Sequence, residues 1–162
     1  MRSVQPSAPT NLPVSPQMNY PTVPIKDVPV SGSFDTAGAY RRMVMVVDDE
    51  TAIADAMSEI LTRSGYAAIA AYDGESALET ALLTPPELAI IDVGLPGMSG
   101  VELAIALRSS LSDCRILLLS DRFGAHTRRA SADSAGNSFE LLYRPINPFV
   151  LLERVSSSFS SR

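Results

Sequence analysis

Cysteine, histidine and lysine each occur once in this 162-residue chain, as Cys114, His126 and Lys26. A single cysteine excludes an internal disulfide and points to a reduced, cytoplasmic compartment, with Cys114 as core filler or surface thiol. No cysteine, histidine or acid stands at zinc-like spacing around His126, which therefore reads as solvated surface. No apolar run approaches the roughly 18 residues of a membrane span, and the N-terminus has no short apolar core of a signal peptide, so membrane insertion is not expected. Basic residues are in deficit: 13 Lys and Arg face 18 Asp and Glu, for a net charge of −5. That balance argues against nonspecific binding to a polyanion, so direct contact with nucleic acid is not expected.

Hydrophobic residues make up 46% of the sequence, enough at this length for one good core. They are unevenly spread. Residues 1–40 hold seven of the twelve prolines (Pro6, Pro9, Pro13, Pro16, Pro21, Pro24 and Pro29) among Ser, Thr, Asn and scattered Val. Proline at that density removes amide donors and fixes φ, which predicts a disordered, partly polyproline-like tail. A docking peptide is the sharper alternative, since apolar and aromatic residues recur along it. Residues 41–162 are then the folded domain.

Within that domain strands and helices alternate. Met43 to Val47 is an unbroken apolar run, the pattern of a strand buried on both faces, and it stops on Asp48, Asp49 and Glu50. Thr51 to Ser64 places Ile53, Met57, Ile60 and Leu61 on one helical face, with Gly65 positioned to end it. Tyr66 to Ala71 is a short strand. Glu75 to Leu83 is a helix with Ala77, Leu78, Ala81 and Leu82 inward, stopped by Pro85 and Pro86. Leu88 to Ile91 is again a doubly buried strand, and it ends on Asp92. Ser99 to Leu111 is a helix facing the core through Val101, Ala104, Ile105 and Leu107, and Arg115 to Leu119 is a strand ending on Ser120. Asp121 to Ser138 has no large aliphatic residue, so a helix there has a thin apolar stripe and is the loosest. Phe139 to Tyr143 is the fifth strand, ending at Arg144. Asn147 caps a last helix that opens on Pro148 and aligns Phe149, Leu152, Val155 and Phe159.

Five βα units joined by right-handed crossovers predict an α/β, doubly wound (βα)₅ flavodoxin-like parallel sheet of strand order 2-1-3-4-5. In such a sheet ligands bind outside the carboxyl ends of the strands. Asp48, Asp49, Asp92, Ser120 and Arg144 all fall on that edge. Each alone is weak, since paired acids are commonly a solvated turn and an Arg before Pro is commonly surface. Their joint placement at four strand ends is not an ordinary feature of a surface. After Asp92 the chain leaves through Gly94, Pro96, Gly97 and Gly100, a loop where backbone and ligand can approach closely.

These segments, Val46 to Glu50, Ile91 to Gly100, Leu118 to Ser120 and Tyr143 to Pro145, resemble the receiver domain of two-component response regulators. The resemblance covers Met43 to the C-terminus. It implies that Asp92 accepts a phosphoryl group from a sensor histidine kinase or phosphotransfer protein and that Mg²⁺ is the cofactor. Asp49 is then a direct metal ligand, Asp48 acts on the metal mainly through water, and Gly94 contributes its backbone carbonyl. Ser120 holds a phosphoryl oxygen, and Arg144 stands at the position of the family's lysine. The chemistry fits, because clustered carboxylates repel one another and a hard, oxygen-seeking cation relieves that repulsion.

Two positions depart from the family pattern. Arg144 replaces lysine with a longer, planar, bidentate cation, and Leu141 stands where an aromatic often rotates. The leading expectation is a stand-alone phosphorylatable receiver, not a turnover enzyme, whose output is contact with a downstream protein, because 162 residues leave no room for a DNA-binding or enzymatic output domain. The alternative is a pseudo-receiver interaction module that no longer turns over phosphate because of Arg144. A nucleotide-binding enzyme using Gly94 to Gly100 as a phosphate loop is disfavoured. The spacing is neither G-x-G-x-x-G nor Walker-type, and Asp92 ahead of it would repel phosphates.

Overall fold

The computed structural model describes residues 33–34, 39–121 and 139–160. Residues 1–32, and 122–138 with the expected fourth helix and His126, lie outside the described residues. In chain order the elements are β1 (Ser33–Phe34), β2 (Tyr40–Arg41), β3 (Met43–Val47), α1 (Thr51–Arg63), β4 (Ala67–Ala71), α2 (Gly74–Leu83), β5 (Leu88–Asp92), α3 (Gly100–Ser110), β6 (Arg115–Asp121), β7 (Glu140–Arg144) and α4 (Pro148–Ser160). β3 to β7 form a five-stranded sheet of order β4-β3-β5-β6-β7. Every pairing in it is parallel. This is the α/β flavodoxin-like arrangement read from the sequence. β1 and β2 pair antiparallel outside it, so two residues within the stretch read as tail form a strand.

Side-chain alternation along β3 divides the core. Val44 and Val46 pack with Met57 and Leu61 of α1 and with Leu151 and Val155 of α4 on one face. Met45 and Val47 pack with Ala77 and Ala81 of α2 and with Leu103 and Leu107 of α3 on the other. Both faces of the central strands are therefore covered, which is why those strands are apolar throughout instead of alternating. Each large aliphatic side chain so buried contributes about 1.5–3 kcal/mol.

Helix boundaries follow local chemistry. Gly65, just past α1, has φ +95°, a conformation that favours glycine. Asp73 caps α2 by accepting from the Ser76 amide at 2.7 Å, and Asn147 accepts from the Phe149 amide at 2.8 Å ahead of α4. The inward faces expected for three helices need correction. Leu82, Ile105 and Phe149 are exposed, while Leu103 and Leu151 are fully buried. In α2 the buried seam is Gly74, Ala77 and Ala81, and a residue directly after position 81 is rotated about 100° away from it. In α4 the buried pair is Leu151 and Val155, spaced i,i+4, which leaves Phe149 on the outer side.

At the amino end of the sheet Glu87 gathers the start of the domain. Its carboxylate accepts from the Tyr40 hydroxyl, from Arg42 Nη1 at 2.8 Å and from the Met43 amide at 3.3 Å. Arg42 is substantially exposed, so its ion pair contributes little. The hydroxyl and the amide are the groups that need their acceptor. Glu87→Ala is expected to destabilise the domain by about 2 kcal/mol, and Glu87→Gln by less. Urea unfolding followed by circular dichroism checks this, and an unmoved midpoint in the Ala variant would show that Glu87 does not hold this segment.

Candidate functional site

The carboxyl edge of the sheet is built by ladders that run past the strand ends. The Asp48 amide donates to the Ala71 carbonyl at 3.1 Å, and the Val93 amide to the Leu119 carbonyl at 2.8 Å, which fixes the backbone on either side of both aspartates. Beyond Asp92 the loop turns back sharply. A Cβ on Gly100 would stand 1.9 Å from the Asp92 carbonyl oxygen, so only glycine lets α3 begin against the end of β5. Ser99 and Glu102 close that end with a capping box. Glu75, in the first turn of α2, accepts from the Met98 amide at 3.1 Å and clasps the loop from the other side.

Inside this frame Asp48, Asp49 and Asp92 come together, each with a carboxylate oxygen within 4.8 Å of the others. Asp48 has 0% exposure, Asp92 is half-buried and Asp49 is exposed. Arg144 Nη2 lies 2.5 Å from Asp48 Oδ2 and 2.9 Å from Asp92 Oδ1. The second oxygen of each acid takes a backbone donor: the Glu50 amide reaches Asp48 Oδ1 at 3.0 Å, and the Gly94 amide reaches Asp92 Oδ2 at 3.1 Å.

Burial raises the pKa of both inner acids above the ordinary carboxylate value. For Asp48 the Glu50 amide and then Arg144 pull it back. For Asp92 the Arg144 guanidinium is the main opposing influence, while the negative charge of Asp48 pushes its pKa up further. Ser120 is buried on β6, directly after Leu119, the register partner of Asp92, and its hydroxyl donates to the Asp121 carbonyl at 3.4 Å. Leu141 packs on the α2 and α3 side of the core, and Tyr143 is exposed.

The structure thus brings Asp48, Asp49, Asp92, Gly94 and Arg144 into one cluster, with Ser120 on the same edge. Sequence reasoning missed two supports. The Glu75 clasp joins residues 23 apart, and no local pattern marks it. The Glu50 amide does leave a signal, since an Asp side chain accepting from the amide two residues on, just ahead of a helix, is a common turn.

A family model described as the response regulator receiver domain matches residues 44–156. Response regulator MprA of Mycobacterium ulcerans is 34% identical over 110 residues, which is 68% of this chain and 45% of that protein. Transcriptional regulatory protein PrrA of Mycobacterium leprae is 31% identical over 113 residues, 70% of this chain and 46% of that protein. The chain therefore matches less than half the length of these relatives. Among solved structures, the chemotaxis protein CheY4 of Vibrio cholerae superposes with a TM-score of 0.64 at 29% identity, covering 72% of this chain and 98% of that one. TrrA of Thermotoga maritima, solved in complex with Mg²⁺ and BeF, gives 0.60 at 32% identity, covering 72% and 97%.

The raised acids have a consequence for stability. A carboxyl group whose folded pKa lies above its unfolded value of 3.8 favours the fold below that pH, and this contribution is lost as pH rises through the folded value. Asp92→Asn should therefore unfold at higher urea than wild type near pH 7, with the difference shrinking toward about pH 4. Urea midpoints at the two pH values test this, and a variant less stable at neutral pH would mean that the Arg144 contact outweighs the burial of Asp92.

Proposed function

The chain belongs to the response regulator receiver family, matched over residues 44–156, and from that premise we propose that it is a phosphoryl-accepting receiver in phosphorelay signalling with Asp92 as acceptor. The donor is a phosphohistidine on a sensor histidine kinase or phosphotransfer protein. The P–N bond breaks, a P–O bond to an Asp92 carboxylate oxygen forms, and the imidazole left behind takes a proton. The observation that carries this reading is the position of Asp92. Its carboxylate ends β5 on the ligand-binding edge and keeps 13% side-chain exposure, with Gly94 orienting one oxygen and Arg144 the other.

The donor set suits Mg²⁺: three carboxylates offer oxygens within 4.8 Å of one another, which fits a hard cation bound through few carboxylates and phosphate oxygens. Asp49 would hold it directly, Asp48 mainly through water, and Asp92 and the Gly94 carbonyl would complete the protein's share. When bound, the ion supplies positive charge against the oxygens of the phosphoryl group in transfer. The chain's own residues do the rest. Arg144 offers a planar cation to one phosphoryl oxygen, and Ser120 offers a hydroxyl to another. The negative charge of the chain supports output through protein contact, and its single cysteine supports a cytoplasmic place beside the kinase; the transcriptional regulation in PrrA's name stays a property of that protein.

The contact of Arg144 with both inner acids favours a second reading, a pseudo-receiver whose Asp48 and Asp92 are already bridged by the chain's own cation. Incubation with a small acyl-phosphate donor and Mg²⁺, followed by intact mass measurement, separates the two. Wild type should gain one phosphoryl group and Asp92→Asn none; labelling at an equal rate in that variant would remove Asp92 as the acceptor. Arg144→Ala should slow labelling by about tenfold or more, and Arg144→Lys only mildly. A silent Ala variant together with faster labelling in the Lys variant would favour the pseudo-receiver.

A further inference from the structure

We infer that Arg144 is a tethered cation that competes with the divalent metal for Asp48 and Asp92, so that metal affinity is set by how readily its guanidinium withdraws. This rests on the reading of the acid cluster as a Mg²⁺ site. One nitrogen, Nη2, bridges the two inner acids at 2.5 and 2.9 Å, inside a cluster whose oxygens lie within 4.8 Å of one another. With Glu50 and Gly94 donating to the other two oxygens, every oxygen of Asp48 and Asp92 already has a partner from the chain. A cation entering the pocket therefore meets oxygens turned toward a positive charge in place.

That charge cannot be shed. A guanidinium is a fixed cation in proteins, so the side chain has to move for the pocket to regain full negative charge. Its 18% exposure gives it a way out toward solvent, while Asp48 has none. The bridge also has a geometric basis in the length of arginine. A lysine in the same place carries its charge on a shorter stem.

Isothermal titration of the full chain with MgCl₂ at constant ionic strength tests the competition. Arg144→Gln and Arg144→Ala are expected to bind Mg²⁺ about tenfold or more tightly than wild type. Arg144→Lys should fall between them and keeps the pocket compensated if the neutral variants fail to fold, which circular dichroism reports. Arg154→Gln is the charge control. It removes one positive charge from the exposed pair that Arg154 makes with Glu140 and should leave Mg²⁺ affinity unchanged. Equal or weaker binding in the Arg144 variants overturns the inference, as does an equal gain in Arg154→Gln. If no variant and no wild type binds Mg²⁺, the metal site of the proposed function falls first and the competition with it. A second readout is the Arg144 side-chain N–H resonance, which should shift on Mg²⁺ addition; a resonance unmoved at saturating metal would mean that the guanidinium and the ion do not share the acids.

Discussion

A carboxylate with no solvent exposure has to be compensated, and the compensation of Asp48 organises this domain. Asp48 follows β3 near the middle of the sheet, while its partner Arg144 ends the edge strand β7, with β5 and β6 between them. A long side chain is needed to cover that separation, and it passes Asp92 on the way, so one guanidinium serves two acids. The register of the parallel strands is what brings the three groups to one level. Slipping β7 by a residue would reverse the faces of its side chains and leave Asp48 buried without its cation, a loss of about 3–5 kcal/mol for a broken buried pair.

The fold was legible because its central strands are buried on both faces. Met43–Val47 and Leu88–Asp92 are apolar runs too short for a helix and each ends on or just before an acid, and right-handed crossovers leave few orders for five such strands. Helix faces were less legible. Ile105 and Phe149 fit an apolar stripe as well as Leu103 and Leu151 do, and only packing against the sheet selects the phase. The acids and Arg144 could be placed from strand ends alone, and attraction between them followed from charge. The supports could not: Glu75 reaching Met98 and Tyr40 reaching Glu87 are contacts between distant segments, with no period or spacing to announce them.

The loop after Asp92 shows why those supports matter. Gly100 allows α3 to begin against the Asp92 carbonyl, the capping box closes the first turn, and Glu75 holds the Met98 amide. Three restraints from two helices act on a few residues. The Gly94 amide is thereby held where it can orient one oxygen of Asp92, and an acceptor so oriented loses little freedom when a reacting group arrives.

β5 carries an acid before its start and another at its end, and the two differ in a way that separates structure from chemistry. Glu87 is nearly buried and takes donors from a hydroxyl, a guanidinium and an amide, all from the segment that opens the domain. Its three donors all come from the chain, it is largely closed off from solvent, and its partners tie down chain. Asp92 takes one guanidinium nitrogen and one amide, faces solvent in part, and stands beside two further negative charges. Its remaining lone pairs and the repulsion of its neighbours make it the acid that gains most from an arriving electrophile or cation. A carboxylate at one end of the strand thus ties down chain behind a closed surface, while the one at the other end stays partly open to solvent within a cluster of like charge.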